Sequence, residues 1–140
     1  MSVVGLTFSR ITAERGTGDK GQIKIGNKVG IEDVVESSIS LGTQSQKGLK
    51  FLFTYASTYE PDFGSIEFKG SLIYLDEPKQ IKEIMQGWQK GKELPAEVLK
   101  ETMNAIINRC NIQALLLSRE INLPPPVPLP KVNVETKQKK

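Results

Sequence analysis

The chain contains no histidine, and that absence excludes more chemistry than any motif supplies. Imidazole general bases, Ser–His–Asp triads and the common histidine-bearing metal sites are all removed. A Ser–Lys or carboxylate pair is what remains for acid–base work, and no G-x-S-x-G nucleophile elbow occurs. The single cysteine, Cys110, cannot form an internal disulfide, which fits a reducing compartment. No stretch approaches the ~20 apolar residues that a membrane-spanning helix needs. The N-terminal MSVVGLTFSR lacks the basic leader and long apolar core of a cleaved export signal. The expectation is a cytoplasmic protein with no enzyme activity, no cofactor and no membrane insertion.

What is present fits one ordinary globular domain. At 140 residues, 38% apolar and 25% charged, the chain is long enough to bury a core without staples. Its net charge of +3 lies entirely in the last ten residues, where Lys131, Lys137, Lys139 and Lys140 face Glu135 alone. The body is neutral. A nucleic-acid surface needs Lys and Arg gathered on folded structure, so residues 135–140 read first as a disordered, solubilising tail and second as an RNA-binding arm.

Period-2 alternation marks strands. In 3–12, VVGLTFSRIT, it sets Val4, Leu6 and Phe8 on one face. Residues 15–30 hold five glycines and read as a long turn-rich excursion with a short strand around Ile23–Ile25. In 34–42, Val35, Ile39 and Leu41 lie opposite Glu36, Ser38 and Ser40. The clearest hairpin joins LKFLFTYASTYE (49–60) to SIEFKGSLIYL (65–75) through PDFG. One stripe of it is Leu49, Phe51, Phe53, Tyr55, Ser57 and Tyr59; the other is Ile66, Phe68, Leu72 and Tyr74. Gly70 interrupts the second stripe and marks a bulge or bend where another element lies close.

Helices follow. Asp76 is placed to cap a helix with Pro78 in its first turn and a stripe of Ile81, Ile84, Met85 and Trp88. After Pro95 a longer helix runs to about Arg119, with Leu99, Met103, Ile106, Cys110, Ala114 and Leu117 on one face. Ile107, Ile112, Leu115 and Leu116 are apolar on its other sides. One sheet face cannot cover them, so a partner subunit or the following segment has to. That segment, INLPPPVPLP (121–130), forms neither helix nor sheet, yet it carries Ile121, Leu123, Val127 and Leu129 between prolines. Its spacing suits docking on the chain's own helix.

Five features carry a possible chemistry. GTGDKG (16–21) matches the dinucleotide fingerprint in letters only, because a strand-like QIKIG follows where a helix is required. Cys110 beside Arg109 could be an activated thiolate or a buried structural cysteine. Glu32/Asp33 and Asp76/Glu77 stand at segment starts, where capping explains them. The stripe Phe51, Phe53, Tyr55 and Tyr59 could stack bases, but Lys47 and Lys50 are its only basic neighbours. Core packing is the better use of the phenylalanines, while Tyr55 and Tyr59 suit exposed contacts. Trp88 closes a glycine-flanked helix as a core anchor or a binding residue.

The succession of LTFSRI, a glycine-rich crossover, three antiparallel strands, helices and then LSREINLPPPVPLPKVNV resembles the SecB-type export chaperones over approximately residues 6–134. The resemblance implies an oligomeric holdase in protein transport, binding unfolded polypeptide without nucleotide. It implies a groove formed by the crossover, the sheet end near Tyr59 and Phe63, and 121–130. Two departures stand out: family members are usually acidic, and only ten residues follow Pro130, where a lid helix and a metal-binding tail are usual.

The combined expectation is an α+β fold, a four-stranded antiparallel sheet followed by two helices, SecB-like. Residues 1–134 form one domain with an apolar arm at 121–134. The expected partners are unfolded polypeptide clients and further copies of the chain. Peptide contacts are expected at Tyr55, Tyr59, Phe63, Trp88, Ile112, Leu116, Leu123, Val127 and Leu129. The alternatives are an accessory subunit of a ribonucleoprotein or nucleic-acid complex, using the tail and the tyrosines, and an enzyme using Cys110 or a carboxylate pair.

Overall fold

Four strands and two helices follow one another in the computed structural model, which describes residues 2–18 and 22–127. The strands are β1 (Ser2–Arg15), β2 (Lys24–Leu41), β3 (Gln44–Glu60) and β4 (Gly64–Leu75); the helices are α1 (Pro78–Gly91) and α2 (Ala96–Glu120). All pairings are antiparallel and the spatial order is β1-β4-β3-β2. The two central strands are therefore those with the strongest alternation. Every residue of the stripe Leu49, Phe51, Phe53, Tyr55, Ser57 and Tyr59 is buried, as are Ile66, Phe68, Leu72 and Tyr74 across from it. α1 packs on β2 and β3, and α2 on β1 and β4. One face of the sheet is thus the core, and residues such as Lys50, Thr58, Glu67 and Lys69 lie on the other.

Gly70 does what its position implied. It pairs with both Phe53 and Phe8, and a Cβ there would collide with the Thr7 carbonyl and the Phe53 ring. β1 shifts register beside it, between Phe8 and Arg10. An earlier shift between Val3 and Gly5 displaces one of the three expected inward residues: Leu6 and Phe8 pack on the core, but Val3 takes the first inward place and Val4 is 51% exposed.

β2 is longer than its sequence suggests. Residues 24–30, read as part of a turn-rich excursion with only a short strand around Ile23–Ile25, pair continuously with β3, and the strand runs on through a bulge between Ile31 and Asp33. The bulge reverses the alternation. Ile25, Val29 and Ile31 pack on the core before it and Val34 after it, so Val34 takes the buried place expected of Val35. The side chains of Ile39 and Leu41 lie outside the described set.

The long helix also presents a different stripe. Its buried residues are Val98, Thr102, Ile106, Cys110, Ala114 and Ser118, spaced four apart throughout. At 100° per residue each step advances the stripe by about 40°, so it winds around the helix as the helix crosses the twisted sheet. The small side chains allow close approach, and the two hydroxyls are satisfied within the helix: Thr102 Oγ1 donates to Val98 O and Ser118 Oγ to Leu115 O, each at 2.8 Å. Larger residues are displaced to the flanks. Leu99 is 43% exposed rather than buried, and Met103 and Leu117 are only partly covered. The cap of α1 differs as well. Glu77 holds the N-cap position with no side-chain bond, while Asp76 Oδ1 accepts from the Glu77 N–H at 2.7 Å.

Candidate functional site

Trp88 continues the stripe of Ile81, Ile84 and Met85 into the last turn of α1, where it is only partly buried against the core. The helix closes with Lys92 in the left-handed conformation, its N–H donating to Trp88 O at 2.7 Å, and Glu93 N–H then donates to Gly87 O at 3.3 Å. This folded-back turn brings Leu94 and the start of α2 alongside the indole. The indole itself is fixed from below, since Trp88 Nε1 donates to Asp33 Oδ1 at 3.1 Å. Asp33 is held in turn by the Val34 N–H at 2.8 Å, immediately after the β2 bulge.

Two recesses meet at Trp88 and Lys92. One, of about 380 Å³, is lined by Gly30, Ile31, Leu94, Leu99 and Met103 together with those two residues. The other, of about 660 Å³, runs past Asp33–Glu36, Met85 and Gln89. Together they form a trough along the edge strand β2, apolar at one end and mixed polar and apolar at the other. Such a surface suits an extended chain: apolar side chains enter one end while the edge strand offers unpaired backbone groups.

A second constellation lies at the hairpin end of the sheet, where the proline arm begins. α2 stops in a Schellman arrangement: Asn122 is left-handed, its N–H donates to Arg119 O, and the Leu123 N–H donates to Ser118 O at 2.8 Å. Leu123 is thereby buried against the core. Three side chains then donate to the arm's carbonyls. Arg15 Nη1 reaches Ile121 O and Asn122 O, Tyr59 Oη reaches Pro124 O at 2.6 Å, and Asn27 Nδ2 reaches Pro126 O at 2.9 Å. Ser57 Oγ donates to Asn27 Oδ1 at 2.7 Å and shares a 2.9 Å bond with Tyr55 Oη. Burial pushes the Tyr59 hydroxyl up to about 12, so it remains a donor.

The residues expected at a peptide site therefore fall into separate groups. Trp88 lies in the trough, Ile112 and Leu116 are each 52% exposed on the outer flank of α2, and Val127 is half-buried at the end of the described arm. Tyr55, Tyr59, Phe63 and Leu123 are buried. The expectation that the two tyrosines are exposed is corrected: the odd positions of this central strand are buried from Leu49 to Tyr59, and the arm seals the last of them. Base stacking on them loses its platform. Leu129 and the tail 135–140 lie outside the described residues. Ile31, Leu94, Leu99 and Met103 were not anticipated as a lining, because the turn that gathers them is local to Lys92.

The other motifs have structural explanations. Gly16 N–H donates to Phe63 O at 2.8 Å and Gly18 N–H to Asp62 O at 2.6 Å, and a Cβ at Gly16 would collide with Asp62 O. The first half of GTGDKG is a close backbone contact with the hairpin turn, not a phosphate cradle. Burial pushes the Cys110 thiol up to about 12, against a smaller opposing pull from Arg109, which is the reverse of thiolate activation. The Arg109 guanidinium instead lies over the Phe8 ring, 5.5 Å from its centroid. Among the described residues no group of three or more acidic or cysteine side chains could hold a metal, and no helix is long and apolar enough to cross a membrane.

No protein-family model matches the chain, nor does any curated protein. Among solved structures it is similar to the SecB-like chaperone Rv1957 of Mycobacterium tuberculosis, determined in complex with a ChAD peptide from the Rv1956 HigA1 antitoxin. The match has a TM-score of 0.58 and 12% identity, covering 94% of this chain and 90% of that one. The fold is SecB-like, as the order of elements implied.

Proposed function

We propose that this SecB-like chain is a chaperone that binds extended or non-native polypeptide, working as a holdase without ATP and keeping its clients unfolded for transport. The observation that carries this reading is the trough between the β2 edge and the two helices, with Ile31, Trp88, Leu94, Leu99 and Met103 presented together. Apolar attraction is non-directional and tolerates many client sequences, and a neutral body neither repels nor strongly selects them. The peptide held by the SecB-like neighbour supports a polypeptide ligand. The test is aggregation of a chemically denatured client without nucleotide. Slowing at several-fold excess of this protein, weakened by Leu99→Asp, is expected; no slowing overturns the reading.

The same reading includes self-association in the cytoplasm. Ile112 and Leu116 on α2, with Val4 and Ile11 exposed on the edge strand β1, are more apolar surface than one copy covers. Light scattering at micromolar concentration should give a multiple of 15.5 kDa. The mass of a single chain would count against it.

A further inference from the structure

Building on the polypeptide-binding reading of the Trp88 trough, on which it rests, we infer a specificity residue: Lys92 selects extended client segments in which a carboxylate side chain lies among alternating apolar ones.

The backbone at Lys92 is the first sign. Among the described residues, three other than glycine hold a positive φ: Asp62 at 60°, Lys92 at 55° and Asn122 at 57°. Aspartate and asparagine tolerate this left-handed conformation better than other side chains, because they hydrogen-bond locally to the backbone. Lysine has no such compensation, and glycine is the residue that usually closes a helix in this way. Gly91 stands one position too early to serve. A lysine is thus held where glycine would be easier for the chain, and strained positions of this kind collect at binding sites. The pull of a cation on a helix C-terminus does not account for it, since Lys90 already supplies one in the last turn.

The surroundings of Lys92 supply the reason. Among the described residues it is the one charged group lining the apolar recess, beside Ile31, Trp88, Leu94, Leu99 and Met103, and it lines the second recess as well. The acids of that second recess are engaged by this chain. Asp33 Oδ1 accepts from Trp88 Nε1 at 3.1 Å and from the Val34 N–H at 2.8 Å, and Glu36 Oε1 lies 4.0 Å from Lys47 Nζ. Lys92 makes no ion pair with another described residue. Its ammonium is the charge the trough has left for a client. Water is partly excluded beside an occupied apolar recess, so a carboxylate paired there is less screened than one in open solvent. The spacing fits an extended chain, whose alternate side chains share a face about 7 Å apart. An apolar residue can then enter the recess while the carboxylate two positions along meets Lys92.

The experiment is a calorimetric titration of the whole chain with peptides blocked at both ends, so that only side chains carry charge. The test peptide is Ser-Leu-Ser-Leu-Ser-Glu-Ser-Leu-Ser, and two controls carry Gln or Lys in place of Glu. The Glu peptide is expected to bind about fivefold more tightly than the Gln peptide, the worth of one partly screened ion pair, and the Lys peptide more weakly than either. In Lys92→Gly and in Lys92→Gln, the Glu and Gln peptides should bind alike. Equal affinities in the unaltered protein overturn the assignment, as does a preference that survives either substitution, or tightest binding of the Lys peptide. Lys92→Gly should melt at the same temperature or higher; a fall would show that the fold itself holds the side chain, and overturns the assignment too. Equal binding of all three peptides removes the role of Lys92 alone, whereas binding of none removes the trough reading and this role with it.

Discussion

The indole N–H of Trp88 and the carboxylate of Asp33 meet at 3.1 Å, joining the last turn of α1 to the bulge of β2. The same oxygen accepts from the N–H of Val34, which is buried. Removing the carboxylate leaves that N–H without its partner and frees the indole. Asp33→Ala should therefore destabilise the protein by about 1–3 kcal/mol, whereas Asp33→Asn, which keeps an acceptor, should lose much less. Trp88 is the only tryptophan, so its emission should shift to the red in the alanine variant alone.

The winding stripe of α2 separates core from exposed flank. Ile106 is fully buried and Ile112 is 52% exposed on the same helix. Ile106→Ala is expected to cost about 2–5 kcal/mol, and Ile112→Ala about 0.5 kcal/mol or less. Urea unfolding of each variant decides it. Comparable losses would show that the flank is covered after all.

Two glycines of neighbouring strands should answer differently. A Cβ at Gly70 meets the Thr7 carbonyl and the Phe53 ring, whereas one at Gly5 meets nothing within 4 Å. Gly70→Ala should lower stability by about 1–3 kcal/mol through forced rearrangement. Gly5→Ala should be close to neutral, and urea midpoints compare the two directly.

Alkali should weaken the fold. Burial pushes Tyr59 and Tyr74 from 10.0 to about 12, and Cys110 from 9.0 to about 12. Groups raised on folding contribute stability that is complete below their unfolded values and is lost as pH climbs toward the folded ones. The unfolded chain releases these protons first, so stability falls from about pH 9 upward. Cys110→Ala should remove the earliest part of that fall. Urea midpoints that stay level between about pH 9 and about pH 11 would contradict this assignment.

Legibility in the sequence tracked position in the sheet. β3 and β4 are central, one of their faces is buried throughout, and their alternation gave both stripes residue by residue. β2 is an edge strand with Gly26 and Gly30, and its bulge at Glu32 switches the inward parity, so half of it resembled loop. The bulge near Val4 turned Val3 inward in its place, while Leu6 and Phe8 kept the expected face of β1. In α2 apolarity pointed to Leu99 and Met103, but close packing on a twisted sheet selects the small residues Val98, Thr102, Ala114 and Ser118. Of the large side chains the periodicity assigned to the core, Ile106 is buried there, whereas Leu99 and Met103 are left at the trough. The arm's apolar spacing pointed to docking on its own helix; its described residues instead meet the sheet end, with Leu123 beside Gly64 and the Pro124 and Pro126 carbonyls bonded to Tyr59 and Asn27, while Ile112 and Leu116 stay exposed.

The most direct measurement is a titration of Trp88 emission with a permanently unfolded, tryptophan-free polypeptide in the absence of nucleotide. A client entering the trough removes water from the indole, so a saturable blue shift is expected, and Leu99→Asp should abolish it while leaving the fold intact. Saturable binding of the client with no change at Trp88, and no effect of Leu99→Asp, would contradict the account.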